Sequence, residues 1–282
     1  MDCKLANITK VEIENYVLPF IPKNKRGFTS KVEPVKIVQC IIHKLKTGSQ
    51  WNCLFIDIDG VDYGFSWQLV YYYYRRWSKL GVFKELFDLF LELKKDHLDL
   101  EKLNLDGTHS LAKKSGEEVG YQHRKKGKTS NVLILTHGRG IPISMGEILS
   151  GNHNDLFEII PQFSKMIKEL KSKNIIVENS CLNADKGFDS KAFRRSCRRR
   201  KIMPNIKENN RNRKKIKRGR KREFNQKVYK ERFVNERCFA WLDSFKTLLI
   251  RFDTTKLSWL NWHYLAFFII LTKVYVLIPL IE

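Results

Sequence analysis

The spacing of apolar residues changes once along this chain of 282 residues, near Glu101. Before that point apolar residues recur every three or four positions, which is typical of amphipathic helices. After it, short apolar runs alternate with helical stretches, which is typical of an α/β fold with a mixed sheet. The sequence therefore predicts a small all-helical domain over residues 1–100 and an α/β domain over residues 101–282.

The first region contains clear helix boundaries. One helix is predicted over Pro34–Thr47, with Pro34 in its first turn and Gly48 as its stop. A second helix begins after Ser66, which is positioned to cap it. This helix carries the run Tyr71–Tyr74, and an aromatic stripe at helical spacing is more typical of a core than of rings that stack on bases.

Strands and helices alternate in the second region. A hairpin is predicted within Asn131–Met145, with its turn at His137–Gly140, and Asn154 is expected to cap the helix that follows. The remaining predicted elements are strands at Leu103–Asp106, within Asn174–Asp185 and at Ile202–Ile206, a helix around Ser190–Arg199, and a long helix through Tyr229, Glu236 and Trp241.

A basic segment lies inside the second region. Residues 191–232 hold 20 of the 53 Lys and Arg residues but only 3 of the 30 Asp and Glu residues, and so most of the net charge of +23. A charge of this size indicates a polyanionic partner, either nucleic acid or an anionic membrane surface. Charge runs are often solvated tails, but foldable sequence on both sides of this one favours a binding surface.

The run Tyr264–Ile281 is apolar enough to suggest a membrane span. Lys273 interrupts it near the middle, and a central lysine costs about 2.5–3.5 kcal/mol on insertion scales. A buried core helix is therefore favoured over a span. The N-terminus lacks the pattern of a signal peptide, and the six cysteines lack disulfide-framework or zinc-site spacing, so a reducing compartment is expected.

Three acidic residues are candidates for metal chemistry. Asp106 and Asp185 are each predicted at the end of a strand, where α/β folds place functional groups, and Glu236 lies on the long helix. Together they would bind two hard cations, which hold the attacking and leaving oxygens during phosphodiester exchange. Each alone is equally consistent with a solvated surface charge, and sequence separation does not prove that they converge.

The long helix places three functional side chains on one face. Tyr229, Arg232 and Glu236 fall within an arc of about 60° at 100° per residue. That face would offer a metal-binding carboxylate, a guanidinium for a phosphate and a phenol for a nearby nucleotide. An amphipathic helix with an ion pair at its inner edge explains the same spacing equally well.

Several segments, in order, resemble the DDE transposases of bacterial insertion sequences, in the superfamily numbered four and five. LDGTHS contains Asp106, NADKGFDS contains Asp185, and YKERFVNERCFAWLDSF carries the Tyr-x-x-Arg-x-x-x-Glu signature that ends at Glu236. The stretch YVLPFIPKNKRGFTSK and the run SWQLVYYYYRRWSKLGVF resemble that group's helical N-terminal domain. WLNWHYLAFFIILTKV resembles its closing helix.

The resemblance implies a ribonuclease H-like mixed-sheet catalytic domain. It implies that Asp106, Asp185 and Glu236 are the catalytic residues and bind two Mg²⁺ or Mn²⁺ ions. The family often has a lysine seven residues after the glutamate; Asp243 stands there, and Lys246 is the candidate replacement. Phe188 replaces the family's usual tyrosine, with little expected effect.

The resulting hypothesis is an insertion-sequence transposase with double-stranded DNA as its partner. Its N-terminal domain, residues 1–100, and its basic segment would bind DNA at the terminal inverted repeats. The enzyme would cleave the element ends and join the 3′-hydroxyl to target DNA, as a homodimer or higher oligomer in the bacterial cytoplasm. The expected DNA contacts are Tyr229, Arg232, Lys246, Arg211, Arg213, Lys214 and Lys215. The alternatives are a non-catalytic DNA-binding relative or repressor, and a peripheral membrane protein.

Overall fold

The computed structural model describes residues 8–22, 32–54, 57–58, 61–62, 64–209 and 223–277. The helices in chain order are α1 (Lys10–Tyr16), α2 (Pro34–Thr47), α3 (Trp67–Leu80), α4 (Val82–Leu93), α5 (Ile159–Ser172), α6 (Lys191–Arg199), α7 (Gln226–Lys230), α8 (Val234–Asp243), α9 (Lys246–Leu249) and α10 (Lys256–Leu277). The strands are β1 (Asp57–Ile58), β2 (Val61–Asp62), β3 (Lys102–Ala112), β4 (Gly120–Gln122), β5 (Gly127–His137), β6 (Pro142–Ser150), β7 (Cys181–Ala184), β8 (Met203–Ile206) and β9 (Ile250–Arg251).

The chain divides into two units. The first takes its described residues from the ranges 1–93, 110–117 and 241–282, and the second consists of residues 94–109 and the described part of 118–240. The first unit is mainly helical and includes α10 together with α1 to α4. The assignment of residues 1–100 to a DNA-binding domain stays a prediction.

The N-terminal helices follow their sequence signals closely. Helix α2 spans the predicted residues, and it ends at Gly48, whose φ of 69° is the left-handed conformation that glycine adopts without strain. Ser66 precedes α3 as predicted, but its side chain makes no capping hydrogen bond. Within the tyrosine run, Tyr74 is fully buried whereas Tyr72 is 55% exposed.

Helix α10 forms the centre of the first unit. Trp262 stacks on Tyr74 with 4.0 Å between ring centroids, and the Tyr74 hydroxyl donates to the Ser258 carbonyl. Most of its side chains are buried from Trp259 to Lys273, so the prediction of a buried helix is confirmed. Of the helices that the structure describes, none has the length and apolar character needed to cross a bilayer.

The sheet of the second unit fixes the fold class. Strands β6, β5 and β3 lie side by side, and β7 and β8 follow on the other side of β3. Strands β5 and β6 are antiparallel, whereas β3, β7 and β8 are parallel. This mixed order, with its initial meander and two later parallel strands, confirms the ribonuclease H-like α/β class.

Three predicted boundaries are wrong. Strand β3 does not end at Asp106 but continues to Ala112, because β5 lies alongside it and its last residues pair with β9. The helix expected after Asn154 begins only at Ile159, because the Asn154 side chain accepts a hydrogen bond from the Leu156 N–H and forms a turn instead. The long helix is interrupted by a 3₁₀ turn at Glu231–Phe233.

Candidate active site

The pairing of β3 with β7 places two aspartates at neighbouring positions. Leu105 pairs with Ala184 as the last residues of the parallel ladder, so Asp106 and Asp185 follow side by side. The Asp106 carboxylate accepts a hydrogen bond of 2.8 Å from the Gly107 N–H. The two carboxyl groups of the predicted set therefore come together through backbone register, at the carboxyl end of β7.

Burial makes the charge of Asp106 unfavourable. It is the largest cause that raises the pKa of Asp106 to about 6, and the negative charges of Asp185 and Asp155 act in the same direction. The Gly107 N–H and the Arg232 guanidinium act against this rise. A cation that approaches Asp106 would therefore stabilise the charged form of its carboxyl group.

Arg232 and Tyr229 lie beside Asp185. The Arg232 guanidinium is 3.6 Å from the Asp185 carboxylate and lies over the Tyr229 ring, 5.0 Å from its centroid. The Tyr229 hydroxyl donates to the same carboxylate at 3.3 Å. Both Arg232 and Asp185 have side chains that are 38% exposed, so the cluster is open to a ligand from solvent.

Glu236 lies on the first turn of α8 and is exposed. Its neighbours anchor the helix: Asn235 accepts a hydrogen bond of 2.7 Å from Thr136 of β5, and Arg237 donates to the Arg139 carbonyl. Among the described residues, no three His, Cys, Asp or Glu side chains are close enough together to hold a metal ion. The role of Glu236 stays a prediction.

The remaining predicted DNA contacts are Lys246 and four residues of the basic segment. Lys246 is the first residue of α9 and belongs to the first unit, where it packs against the backbone of Gly48. Arg211, Arg213, Lys214 and Lys215 lie outside the described residues. Their contacts with DNA stay predictions.

Sequence reasoning missed Asp155 as part of this site. Its carboxylate occupies the space that a Cβ at Gly187 would need, next to the turn that follows Asp185. Its charge also acts on Asp106 and on His109. Asp155 follows Asn154 in a segment read as the start of a helix, so no local signal pointed to the site.

The Lys102–Glu231 ion pair was also missed. Lys102 at the start of β3 bonds to Glu231 of the 3₁₀ turn at 2.6 Å. The pair links the strand that carries Asp106 to the segment that carries Tyr229 and Arg232. No sequence signal pairs residues this far apart.

Two family models match the chain. The model described as "Transposase DDE domain" matches residues 98–271, which is more than half of the chain. The model described as "Putative transposase of IS4/5 family" matches residues 13–87.

A curated relative and several solved structures are also similar. The "Putative transposase for insertion sequence element IS402" of Burkholderia cepacia is 32% identical over 123 residues, or 43% of this chain. The match spans about half, 52%, of that relative. The Mos1 transposase paired-end complex with left transposon end is 11% identical, with 87% of this chain and 79% of that chain covered and a TM-score of 0.29. A pre-cleavage Mos1 transpososome is 11% identical, with 88% and 80% covered and a TM-score of 0.30.

Proposed function

Since the chain belongs to the DDE transposases of the IS4/5 family, we propose that it moves an insertion sequence by phosphodiester exchange. It binds the terminal inverted repeats, cleaves the element ends and joins each 3′-hydroxyl to target DNA. The observation that carries the proposal is the pair Asp106 and Asp185, side by side on parallel strands within the segment that matches the DDE domain.

The donor set at this pair fits divalent cations. Mg²⁺ and Mn²⁺ prefer carboxylate oxygens, and two adjacent aspartates, one of them destabilised by burial and by its neighbours' charge, supply them. We propose that Asp106 and Asp185, with Glu236 as third carboxylate, hold two such ions. When bound, these ions supply charge neutralisation at the phosphate and a lowered pKa of the attacking water.

Arg232 and Tyr229 act on the DNA next to the carboxylates. The guanidinium offers two parallel donors to phosphate oxygens, and its position over the Tyr229 ring holds it in one orientation. The phenol ring offers a face for the flanking nucleotide. The Asp185 carboxylate contacts both side chains and so orients them toward the same site.

The basic segment supplies contacts to the DNA backbone. Phosphate contacts give affinity and position but carry little sequence information, which suits both element ends and arbitrary target DNA. We propose that residues 191–232, including Arg211, Arg213, Lys214 and Lys215, and also Lys246 provide these contacts. The active form is a homodimer or higher oligomer on DNA, in the bacterial cytoplasm.

Cleavage of labelled element ends in Mg²⁺ tests the proposal. We expect Asp106→Asn and Asp185→Asn to reduce cleavage by at least about a thousandfold, because metal ligands at phosphoryl-transfer sites act as a unit. Both variants should bind the ends within about threefold of the wild type.

Glu178→Gln is the matched control, because it removes an exposed carboxylate of the same unit that pairs with Lys201. It should cleave at the wild-type rate. Cleavage by the aspartate variants at that same rate would refute the assignment. End binding without any cleavage by the wild type would point to a non-catalytic relative.

A further inference from the structure

Three buried asparagines form a row across the parallel strands. Asn104 of β3 pairs with Asn183 of β7, and Asn183 pairs with Asn205 of β8, in the same register. All three side chains are at most 3% exposed. The row lies two residues before Asp106 and Asp185 on their strands.

The side-chain amides form one continuous ladder. The Asn205 amide donates to the Asn183 oxygen at 2.8 Å, and the Asn183 amide donates to the Asn104 oxygen at 3.0 Å. Buried polar groups are costly unless they are paired, and polar rows are uncommon inside a sheet. Three buried side-chain amides that hydrogen-bond to one another therefore indicate a specific structural or functional role.

Asn205 and Asn183 also bond to the backbone of the segment that carries Tyr229 and Arg232. The Asn205 oxygen accepts from the Asn225 N–H at 2.8 Å, and its amide donates to the Asn225 carbonyl at 3.0 Å. The Asn183 amide donates to the Val228 carbonyl at 3.2 Å. Backbone groups have fixed donor and acceptor roles, so they set the direction of every bond in the ladder.

The bonded backbone atoms lie close to the functional side chains. Val228 immediately precedes Tyr229, and the Asn225 side chain caps α7 by accepting from the Lys227 and Val228 N–H groups. The helix α7 has only five residues, too few to be stable without tertiary bonds. Its position therefore depends on the ladder and on the Lys102–Glu231 ion pair.

We propose that Asn183 and Asn205 are positioning residues that fix the segment 225–232 against the sheet and so hold Arg232 and Tyr229 beside Asp185. The proposal rests on the proposed function for its catalytic consequence. The ladder itself stands on the bonds described above. Asn104 is the last residue of the ladder, and the bonds to the segment 225–232 come from Asn183 and Asn205.

Amide hydrogen exchange of the full-length protein tests the positioning directly. Asn183→Ala and Asn205→Ala leave the Val228 and Asn225 backbone groups without their partners, so exchange over residues 225–232 should accelerate about tenfold. Asn104→Ala is the matched control, because it removes an equally buried amide that does not touch the segment. It should change exchange there by less than about twofold.

Equal exchange over residues 225–232 in the wild type and in both ladder variants would overturn the proposal. So would an equally large acceleration in Asn104→Ala, because the segment would then respond to general destabilisation. The exchange over α5 serves as an internal reference.

The joining rate at saturating DNA tests the catalytic consequence. Asn183→Ala should lower kcat about tenfold and leave the DNA dissociation constant unchanged. Combined with Arg232→Ala and Tyr229→Ala together it should add no further loss, because Asn183 acts through these two side chains. Losses that multiply in the combined variant would overturn this catalytic consequence. An inactive wild type would refute the proposed function, and the exchange result alone would then test the positioning role of Asn183 and Asn205.

Discussion

At the scale of single residues, Asp106 has the most informative environment. Its pKa is raised to about 6 chiefly by burial, so the folded protein binds a proton more tightly than the unfolded chain does. Between about pH 4 and pH 6 the native state therefore carries more protons, and stability falls as pH rises through that window. At pH 7 the cost of burying the charged Asp106 carboxylate lowers the stability of the folded protein in full.

Asp106→Asn should stabilise the protein when divalent cations are removed. The asparagine oxygen retains the bond from the Gly107 N–H but carries no charge, so unfolding at pH 7 should cost on the order of 2 kcal/mol more. The gain should vanish near pH 4, where the wild-type carboxyl is protonated. Thermal unfolding in a chelator at both pH values measures this.

The exposed Asp96 provides the control, because Asp96→Asn should leave the melting temperature unchanged at either pH. A melting temperature of Asp106→Asn below that of the wild type at pH 7 would contradict this account of the site. An inactive but more stable variant is the expected result for a site that sacrifices stability for function.

The sequence identified some residues of the site and not others, for a physical reason. Tyr229 and Arg232 were recognisable because helical spacing relates residues that are close in the chain. Asp155 reaches the site through tertiary contacts alone, and its sequence neighbourhood carries no such signal. Asn183 stands in NADKGFDS, but that motif gives no sign of its bonds to Asn104, Asn205 and Val228. Asp106 and Asp185 were identified, but their neighbouring register became visible only from the pairing of β3 with β7.

At the scale of elements, α6 divides the basic segment into structural and exposed arginines. Arg194 is buried, where its guanidinium bonds to Asp189 and to the Ile206 carbonyl. Arg195, Arg198 and Arg199 are exposed on the same helix. The capping Ser190 lies five residues after Asp185, so these arginines begin close in the chain to the proposed metal site.

Replacing Arg195, Arg198 and Arg199 together with alanine should flatten the salt dependence of DNA binding. Each phosphate contact that is lost should reduce the slope of log affinity against log salt by about 0.9. The matched control removes three exposed lysines of α5 (Lys165, Lys168 and Lys171) and should keep the wild-type slope. Equal slopes for the wild type and the α6 variant would show that these arginines are solvated charges.

Local signals predicted elements well where the chain alone determines them. Helix α2 has its predicted bounds, and α6 lies where a helix around Ser190–Arg199 was expected. The Ser190 oxygen caps it by accepting from the Phe193 N–H. Strand β3 was predicted too short because its continuation depends on distant neighbours. The 3₁₀ turn at Glu231–Phe233 contains neither proline nor glycine, and the sequence gives no sign of it.

At the scale of the whole molecule, a buried ion pair links residues from opposite ends of the chain within the first unit. Lys273 of α10 bonds to Glu12 of α1 at 2.8 Å, with side chains only 7% and 13% exposed. Burial acts to raise the pKa of Glu12, but the bonds from Lys273 and Thr9 outweigh it and hold the pKa below its usual value. The lysine that interrupts the apolar run is therefore neutralised inside the fold.

Glu12→Gln should destabilise the protein by about 3 kcal/mol, because it leaves the Lys273 charge buried and unpaired. Glutamine can still complete the capping box with Thr9, so the loss comes from the pair. Adding Lys273→Met should restore much of the stability. Chemical denaturation measures both, with the exposed Glu14→Gln as control.

Wild-type stability of Glu12→Gln would contradict the importance of this pair. The same would follow if the double variant were less stable than Glu12→Gln alone. Because the pKa of Glu12 is lowered, the contribution of the pair should be lost as the pH falls through that lowered value.

The basic residues behind the net charge of +23 have different roles in the described part of the chain. Some of the basic residues, such as Arg194 and Lys273, hold the fold together from within. Others lie on exposed helix faces, and Arg232 stands beside the paired aspartates. Under the proposed function, these cations would attract the DNA backbone to a site where two carboxylates alone would repel it.

In the proposed reaction, Asp185 binds the metal ion that acts on the scissile phosphate. Its most direct test is the rate at which Asp185→Cys joins a pre-cleaved element end to plasmid DNA in Mg²⁺ and in Mn²⁺. A thiolate is a poor ligand for Mg²⁺ and a better one for Mn²⁺. We predict a loss of at least about a thousandfold in Mg²⁺ and a recovery of at least tenfold in Mn²⁺. Wild-type joining in Mg²⁺, or the same loss in both metals, would contradict the account.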